Sequence, residues 1–417
     1  MSSGVLDEQQ RARRARTAVY WVFGVNGCVL STWASRLPAI RDALDLSPAQ
    51  IGFVLLAVSV GAMAGLPLSG PVVHRLGPSR TVAAAAVVCT GGVLGVGLAP
   101  SVLAIVPVLF LVGLGNGMWD VAMNVEGAEV ERRLGVEIMP RFHAAFSLGT
   151  VVGAALGSVM ATLDVPVSVH LPAVAVVVLG SALASARAFL PADHVRTAGE
   201  TPVGGAPAPS RSGSGVLAAW KEPRTLLLGL MVLGMGLSEG AANDWIAVGM
   251  VDGYSVDDGL AAAVYGCFVA AMTGARFTGP WLLARLGRVA ALRSGAVAVL
   301  LGVSVFVAGS SLAGDVAAEV AVAVAVLGAL AWGWGAALGF PVGMSAAADD
   351  PVRAAARVSV VSTVGYTAFL AGPPLLGLLG DRIGVVPALS GVAVAVALSL
   401  AAAGSARPPA RPVAPPA

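Results

Sequence analysis

Three carboxylates and two guanidinium groups stand within or at the end of long apolar runs of the sequence. The carboxylates are Asp120, Glu239 and Asp244, and the cations are Arg36 and Arg276. Charges are costly in an apolar medium and usually have a functional role when they occur there. Because an apolar surrounding favours the protonated form of a carboxylic acid, each of the three acids is a candidate proton carrier.

Asp120 has polar neighbours at helical spacing. Asn116 and Asn124 lie four residues before and after it, which places all three side chains along one side of a helix. Such a stripe favours a polar cavity or a coupling site. The alternative is a cluster of helix–helix hydrogen bonds with no further role.

Two acids stand close together in the second half of the chain. Glu239 and Asn243 share a helix face, and Asp244 lies about 100° round from Asn243. We expect Arg36 or Arg276 to pair with one acid and to leave the other free to titrate. The spacing does not choose between these pairs, and Arg36 could instead extend to the membrane interface.

The composition places these charges in a strongly apolar background. Hydrophobic residues make up 57% of the 417 residues and charged residues 12%, which is half of the roughly 25% typical of soluble domains. This excludes a soluble enzyme and a disordered chain. The net charge of +2 gives no strong basic field for nucleic acid.

Apolar runs of about 20 residues, each long enough to cross the hydrocarbon core of a bilayer, recur along the chain. They predict twelve spans, at 17–36, 49–71, 80–99, 102–125, 142–162, 168–190, 224–250, 259–283, 289–312, 316–345, 355–379 and 385–404. With both termini in the cytoplasm, 21 of the 25 Lys and Arg residues lie inside, as the positive-inside rule requires. We therefore expect a multi-pass protein of a bacterial-type plasma (inner) membrane.

One long polar stretch, residues 191–223, divides the chain and has the Gly, Ser and Pro content of a flexible linker. The predicted fold is an all-α polytopic membrane protein with twelve transmembrane helices in two pseudo-symmetric six-helix halves. The halves are 1–190, with a cytoplasmic N-terminal tail, and 224–417, with a cytoplasmic C-terminal tail.

The ends of the second and the eighth span share a pattern. Gly61–Pro71 reads GAMAGLPLSGP, Ala270–Pro280 reads AAMTGARFTGP, and a turn with Arg-Leu-Gly follows each. The equivalent positions in the two halves favour an internal repeat. Parallel six-span repeats occur in transporters that bind a solute near the membrane midplane between the halves.

The turn after the second span resembles the G-x-x-x-D-R-x-G-R-R signature of the major facilitator superfamily. It reads GPVVHRLGPSR over residues 70–80, with a histidine at the acidic position. In that family the acid helps to hold the inward-closed arrangement. The resemblance therefore implies a conformational-gating role for this turn and its repeat, with the candidates Gly70, His74, Arg75, Gly77, Arg80, Gly279 and Arg285.

The fourth span is similar to that of the fucose permease group within the same superfamily. Gly113–Asn124 reads GLGNGMWDVAMN, in which a glycine-rich stretch leads into acid-x-alanine-x-asparagine, and Phe340 and Pro341 resemble a pair of the same group. The resemblance implies proton coupling by Asp120. The asparagine–aspartate pair of that group's first span has no counterpart, and Trp33–Pro38 resembles a bacterial branch near the group.

Other polar and aromatic side chains stand near the acids in the spans. Tryptophan faces stack on sugar rings and on drug rings, whereas core packing or interfacial anchoring is the alternative for each tryptophan. The candidate substrate-binding residues are Asn26, Trp33, Arg36, Asn116, Asn124, Asn243 and Trp245. The candidate proton-coupling residues are Asp120, Glu239 and Asp244.

Several chemistries lack the residues they need. The sequence contains no GxxxxGK[ST] loop for direct use of ATP, no HExxH or paired-cysteine metal site, and no nucleophile with a base for hydrolysis. We therefore expect no enzymatic activity, no cofactor, no metal and no nucleic-acid partner.

The leading hypothesis is a monomeric, proton-coupled secondary active transporter in the lipid bilayer. It moves a small polar organic solute, sugar-like by the resemblance, through alternating access. The alternative is proton-antiport efflux of a drug or hydrophobic metabolite, although the Gly-Pro pair that drug–proton antiporters carry in their fifth span is missing. A non-transporting sensor on the same fold is a third hypothesis.

Overall fold

The computed structural model describes residues 2–191, 217–313, 317–350 and 353–408, and these ranges consist of helices with short connections. The first set of helices is α1 (Ser2–Ala34), α2 (Leu37–Leu44), α3 (Pro48–Leu98), α4 (Val102–Leu134), α5 (Met139–Thr162) and α6 (Val167–Ala186). The second set is α7 (Pro223–Tyr254), α8 (Asp258–Leu312), α9 (Ala318–Ala336), α10 (Gly339–Ala347), α11 (Ala354–Ile383), α12 (Val385–Ala388) and α13 (Ser390–Ala402). Most of the predicted linker, residues 192–216, lies outside the described residues.

Nine helical stretches in the described ranges are long and apolar enough to cross a membrane. Large apolar side chains cover their outer faces, and Leu103, Val177 and Val394 are 86%, 67% and 66% exposed. Only a lipid surrounding accommodates so many exposed apolar side chains. The prediction of an all-helical membrane protein is confirmed at this level.

The first predicted span, within α1, is not among these nine stretches. Its sequence includes Asn26, Ser31 and Thr32, which lower the mean hydropathy. All three side chains are at most 2% exposed. The polar groups of α1 therefore face the protein interior, where other helices supply hydrogen-bond partners.

Helices α3 and α8 each contain one sharp interruption. They comprise 51 and 55 residues, or roughly 80 Å as straight helices, against a hydrocarbon core of about 30 Å. Gly77 has φ 79° and ψ 163°, and Gly287 has φ 74° and ψ 165°. Glycine alone adopts this conformation at little cost, so a single residue replaces the longer turns expected between the spans. The matching geometry of Gly77 and Gly287 agrees with the sequence repeat.

Helices α1 and α5 approach closely along the glycines of α5. A Cβ atom added to Gly149 would lie 1.9 Å from the carbonyl oxygen of Gly24, and one added to Gly153 would lie 2.3 Å from that of Cys28. The absence of side chains thus lets the two backbones touch, as in other lipid-embedded helix pairs.

Polar contacts between the two sets concentrate at the end of the molecule that carries α2, called here the α2 end. Arg41 forms an ion pair with Asp252. The carboxylate of Asp381 accepts hydrogen bonds from the Ala49 N–H at 3.0 Å and from Ser47 Oγ at 3.4 Å. These contacts hold the two sets together at this end.

At the opposite end, near Gly77 and Gly287, each of the following ion pairs joins residues of the same set. Glu129 pairs with Arg133 at 2.7 Å within the first set. Asp349 pairs with Arg288 at 2.6 Å and with Arg224 at 2.9 Å within the second. These pairs stabilise each set by itself and do not tie the sets to each other.

Candidate functional site

The polar stripe on α4 makes hydrogen bonds both within the helix and to α1. Asn26 Nδ2 donates to Asn116 Oδ1 at 3.1 Å. Asn124 Nδ2 donates to the backbone oxygen of Asp120 at 2.8 Å and to its carboxylate Oδ1 at 3.2 Å. The structure therefore brings together four of the predicted residues, all from the first set.

Glu239 and Arg276 form an ion pair between α7 and α8. Arg276 Nη2 lies 2.9 Å from Glu239 Oε1, and the side chains are 33% and 18% exposed. Of the pairs that the sequence left open, the structure contains this one. It neutralises Glu239.

Asp244 has no counter-ion among the described residues. Within the described part of the chain it makes neither a hydrogen bond nor an ion pair. It lies on α7, one turn beyond Glu239, and it is half-buried. The Asp120 carboxylate accepts a hydrogen bond from the Asn124 amide, so neither of these two carboxylates has a compensating cation within the part of the chain that the structure describes.

Tyr265 connects the two sets close to these acids. Ser31 Oγ donates to the Tyr265 hydroxyl at 3.3 Å, and that hydroxyl donates to Asn243 Oδ1 at 3.3 Å. Tyr265 is buried and lies within electrostatic range of Asp244 and Glu239. The resulting chain of polar groups runs from α1 through α8 to α7.

A second tyrosine reaches the first set from α11. Tyr366 lies within electrostatic range of Asp120, and its ring packs against Phe340 with a centroid separation of 5.8 Å. Sequence reasoning missed both Tyr265 and Tyr366. The available signal was that the chain has only four tyrosines and that three of them, Tyr20, Tyr265 and Tyr366, stand inside predicted spans.

The predicted tryptophans are packed in the core. Trp33, Trp119 and Trp245 are 6%, 0% and 1% exposed, and their Nε1–H groups have no partner within the described residues. By contrast, Trp332 donates to Ser238 Oγ at 2.8 Å. In this conformation Trp33 and Trp245 present no open face for stacking on a solute.

The structure places Arg36 apart from the acids described above. Its guanidinium is buried at the α2 end, where Nη2 donates to the carbonyl oxygen of Val165 at 2.8 Å. It lines a cavity that none of the acids Asp120, Glu239 and Asp244 lines.

The predicted gating residues surround the two glycine kinks. Gly279 is buried, and a Cβ atom there would lie 2.6 Å from a methyl carbon of Leu338. The Arg285 guanidinium stacks over Trp281, 5.1 Å from the ring centroid. The remaining predicted members, apart from the buried kink residue Gly77, are exposed: Gly70, His74, Arg75 and Arg80.

No group of His, Cys, Asp and Glu side chains with the arrangement of a metal site occurs among the described residues. The arrangement offers amide groups, hydroxyl groups and two uncompensated carboxylates. These groups can donate and accept hydrogen bonds, and the carboxylates can bind and release protons.

Comparison with known proteins gives the family. Residues 19–365 match the profile of the Major Facilitator Superfamily. The uncharacterized transporter y4wD of Sinorhizobium fredii is 33% identical over 86% of this chain and 89% of its own length. The membrane protein MosC of Rhizobium meliloti is 27% identical over 89% of this chain and 85% of its own.

Solved structures share the fold at low sequence identity. A substituted form of the nucleoside transporter NupG superposes on this chain with a TM-score of 0.75 at 15% sequence identity. The superposition covers 94% of this chain and 98% of the NupG chain. A bacterial homologue of the lysosomal transporter Spinster gives a TM-score of 0.69 at 13% identity, with coverage of 95% and 97%. Because the family match spans most of the chain and its relatives are transporters, this protein is a multi-pass membrane transporter, not an enzyme, and belongs to the Major Facilitator Superfamily.

Proposed function

We propose that the chain is a proton-coupled secondary active transporter that moves a small polar organic solute, sugar-like in its chemistry, by alternating access. The supporting observation is that each of two carboxylates has polar neighbours but no counter-ion among the described residues. Asp120 accepts a hydrogen bond from Asn124, and Asp244 lies within electrostatic range of Tyr265, which bonds to Ser31 and Asn243. Charged groups inside a membrane protein favour such a role because their burial is otherwise costly.

Twelve crossings in two halves account for the helices. Helices α3 and α8 each cross the membrane twice, with Gly77 and Gly287 at the turns. Helix α1 supplies a further crossing, although its polar residues lower its mean hydropathy. The halves are 1–190 and 224–417, joined by the linker 191–223. The positive-inside rule puts both termini and the linker in the cytoplasm of a bacterial-type cell, and the α2 end outside.

In this orientation the contacts between the halves at the α2 end support a state that is closed towards the outside. The ion pair of Arg41 with Asp252 and the hydrogen bonds of Asp381 join the halves there. Rocking of the halves breaks these contacts and opens the site outwards. The Ser31–Tyr265 hydrogen bond also joins the two halves, so it must break when the site opens outwards.

The solute class follows from the hydrogen-bonding groups. Asn26, Asn116, Asn124 and Asn243 carry amides that both donate and accept, which suits the hydroxyl groups of a sugar-like solute. The resemblance of Gly113–Asn124 to the fucose permease group supports the same class.

Proton coupling is assigned to Asp120, with Asp244 as the second carrier. Among the described residues neither has a cationic partner, so each exchanges a proton without breaking an ion pair. Glu239 is held by Arg276 and takes a structural role in this state.

The test uses purified protein in proteoliposomes. A thermal-shift screen against sugars, organic acids and drugs first selects a binding solute, and its accumulation is then measured under an imposed pH gradient. Asp120→Asn should abolish accumulation but retain solute exchange at equal pH, because exchange needs no net proton movement. Glu137→Gln, which neutralises an exposed acid in the α4–α5 connection, should retain both activities.

Full accumulation by Asp120→Asn and by Asp244→Asn would contradict the coupling assignment. The direction of the effective gradient separates the candidate functions. Symport concentrates the solute when the vesicle exterior is acidic. Antiport of a drug or hydrophobic metabolite, the alternative function, requires an acidic interior.

A further inference from the structure

A cavity with polar and charged lining residues lies at the α2 end, outside the site described above. Its volume is about 720 Å³, which is within the range of roughly 300–1,000 Å³ typical of small-molecule sites. It lies among α2, the end of α3, the α5–α6 connection and the start of α8. Its polar lining residues are Arg36, Thr162, Asp164, Ser168, Asp257 and Asp258.

Arg36 is the cation of this cavity and is incompletely bonded. Arg36 is only 4% exposed. Its Nη2 donates a hydrogen bond to the carbonyl oxygen of Val165. Nε and Nη1 are buried without a hydrogen-bond partner within the described residues. The neighbouring Arg41, by contrast, pairs with Asp42 and Asp252.

A buried guanidinium with free N–H groups is costly unless an anion satisfies it. Its planar array of donors matches a carboxylate in two parallel hydrogen bonds. His170 adds a second unsatisfied group nearby. It is 3% exposed, both ring nitrogens lack a partner within the described residues, and it lies within electrostatic range of Arg36.

The rest of the cavity is acidic. Asp258 lies within electrostatic range of Arg36 but forms no ion pair with it. Asp257 Oδ1 accepts the Leu260 N–H at 3.0 Å, and Asp164 occupies the turn before α6. The cavity lining contains three carboxylates and Arg36, which disfavours a simple anion, whereas a ligand that also carries an ammonium group complements both charges.

We propose that this cavity binds a zwitterionic amino carboxylate, with its carboxylate on Arg36 and its ammonium group against Asp258. Arg36 belongs to the first set of helices and Asp258 to the second. The bound ligand therefore bridges the two sets and stabilises the closed α2 end. This proposal stands on the cavity alone and does not depend on the transported solute or on proton coupling.

The test is titration calorimetry on the purified full-length protein at pH 7 with a series of ω-amino carboxylates, from glycine to 5-aminovalerate. Propionate and propylamine are the single-charge probes. One member of the series should bind at least about tenfold more tightly than either probe, because each charged contact is worth roughly a factor of ten. The best chain length reports the separation of the two charged sites.

Variants assign the two charges. Arg36→Lys keeps the cation but loses the paired donors, so affinity should fall about tenfold. Asp258→Asn should lower the affinity of the best amino carboxylate to that of propionate. Arg382→Gln removes a positive charge from an exposed position at the same end and should change nothing.

Three results would overturn the proposal. The first is the absence of binding by every member of the series. The second is propionate binding as tightly as the amino carboxylates, with no effect of Asp258→Asn. The third is binding that survives Arg36→Lys unchanged but is lost in Asp120→Asn, since the ligand then occupies the central site. Failure of pH-driven accumulation in proteoliposomes would leave this binding result untouched.

Discussion

The Tyr265 hydroxyl and Ser31 Oγ lie 3.3 Å apart, and their hydrogen bond joins α8 to α1. The same hydroxyl donates to Asn243 Oδ1, so one phenol group holds three helices from both sets in register beside Asp244. Tyr265 is buried, and it was not among the site residues predicted from the sequence. Tyr265 thus joins the two sets of helices near the α2 end.

Tyr265→Phe should open the α2 end. The lost hydrogen bond is worth about 0.5–1.5 kcal/mol, which shifts the ratio of open to closed molecules by about two- to tenfold. Spin labels at Asp45 and Arg382, both exposed at this end, report the distance between the sets by pulsed electron resonance after Cys28, Cys89 and Cys267 have been replaced.

Tyr254→Phe is the matched control. The Tyr254 hydroxyl donates to the carbonyl oxygen of Phe306 within the second set, so its loss should leave the distance distribution unchanged. An identical distribution for Tyr265→Phe and the unmodified protein would show that this bond does not hold the end closed.

Glu239→Gln should destabilise the protein by leaving Arg276 without its counter-ion. Breaking a fully buried pair costs about 3–5 kcal/mol, and we expect about 1–2 kcal/mol for this half-buried one. The free energy of unfolding measures the loss. The double variant with Arg276→Gln should recover part of it, because no uncompensated charge remains. Arg132→Gln, which breaks a pair whose arginine is 65% exposed, should cost less than about 1 kcal/mol.

Gly77→Ala should destabilise the kink in α3. The backbone at Gly77 has φ 79° and ψ 163°, a region where a side chain costs about 1–3 kcal/mol. Gly70→Ala is the control, since Gly70 is helical and an added Cβ atom has no neighbour within 4 Å. That variant should be neutral or more stable by up to about 1 kcal/mol. Equal effects of the two substitutions on the thermal midpoint would disprove the strain argument.

Glu222 links the start of α7 to α11 and predicts a pH dependence of stability. Its carboxylate accepts hydrogen bonds from Arg357 at 2.6 Å, Thr225 at 2.9 Å and Arg353 at 2.9 Å. These bonds, that of Arg357 foremost, lower the pKa of Glu222 from 4.5 to about 2. A lowered folded-state pKa stabilises the protein above the unfolded value, and this contribution is lost as the pH falls towards the folded value.

The measurement is the difference in thermal midpoint between the unmodified protein and Glu222→Gln. It should stay constant from pH 8 to about 5 and shrink between about 4.5 and 2. A difference that grows on acidification would contradict the sign of this linkage.

Helical spacing in the sequence correctly related Asp120 to Asn124, because residues four apart always share a helix face. It could not relate Glu239 to Arg276, which stand 37 positions apart on different helices. Their contact depends on how α7 and α8 are rotated about their axes. The hydropathy pattern also did not indicate Ser31 and Tyr265 as site residues, because a hydroxyl group inside an apolar run gives no periodic signal.

The sequence by itself determined that the protein lies in lipid, that it is helical, and that one turn is repeated in the two halves. A composition with 57% hydrophobic and 12% charged residues requires lipid, and the Arg-Leu-Gly turns mark the two kinks at Gly77 and Gly287. Only the tertiary structure decided which polar groups meet. Within the residues that the structure describes, it paired Arg276 with Glu239, left Asp244 without a counter-ion and placed Arg36 at a separate cavity. The physical reason is that burial and hydrogen bonding depend on side-chain direction across packed helices, which spacing along one helix does not specify.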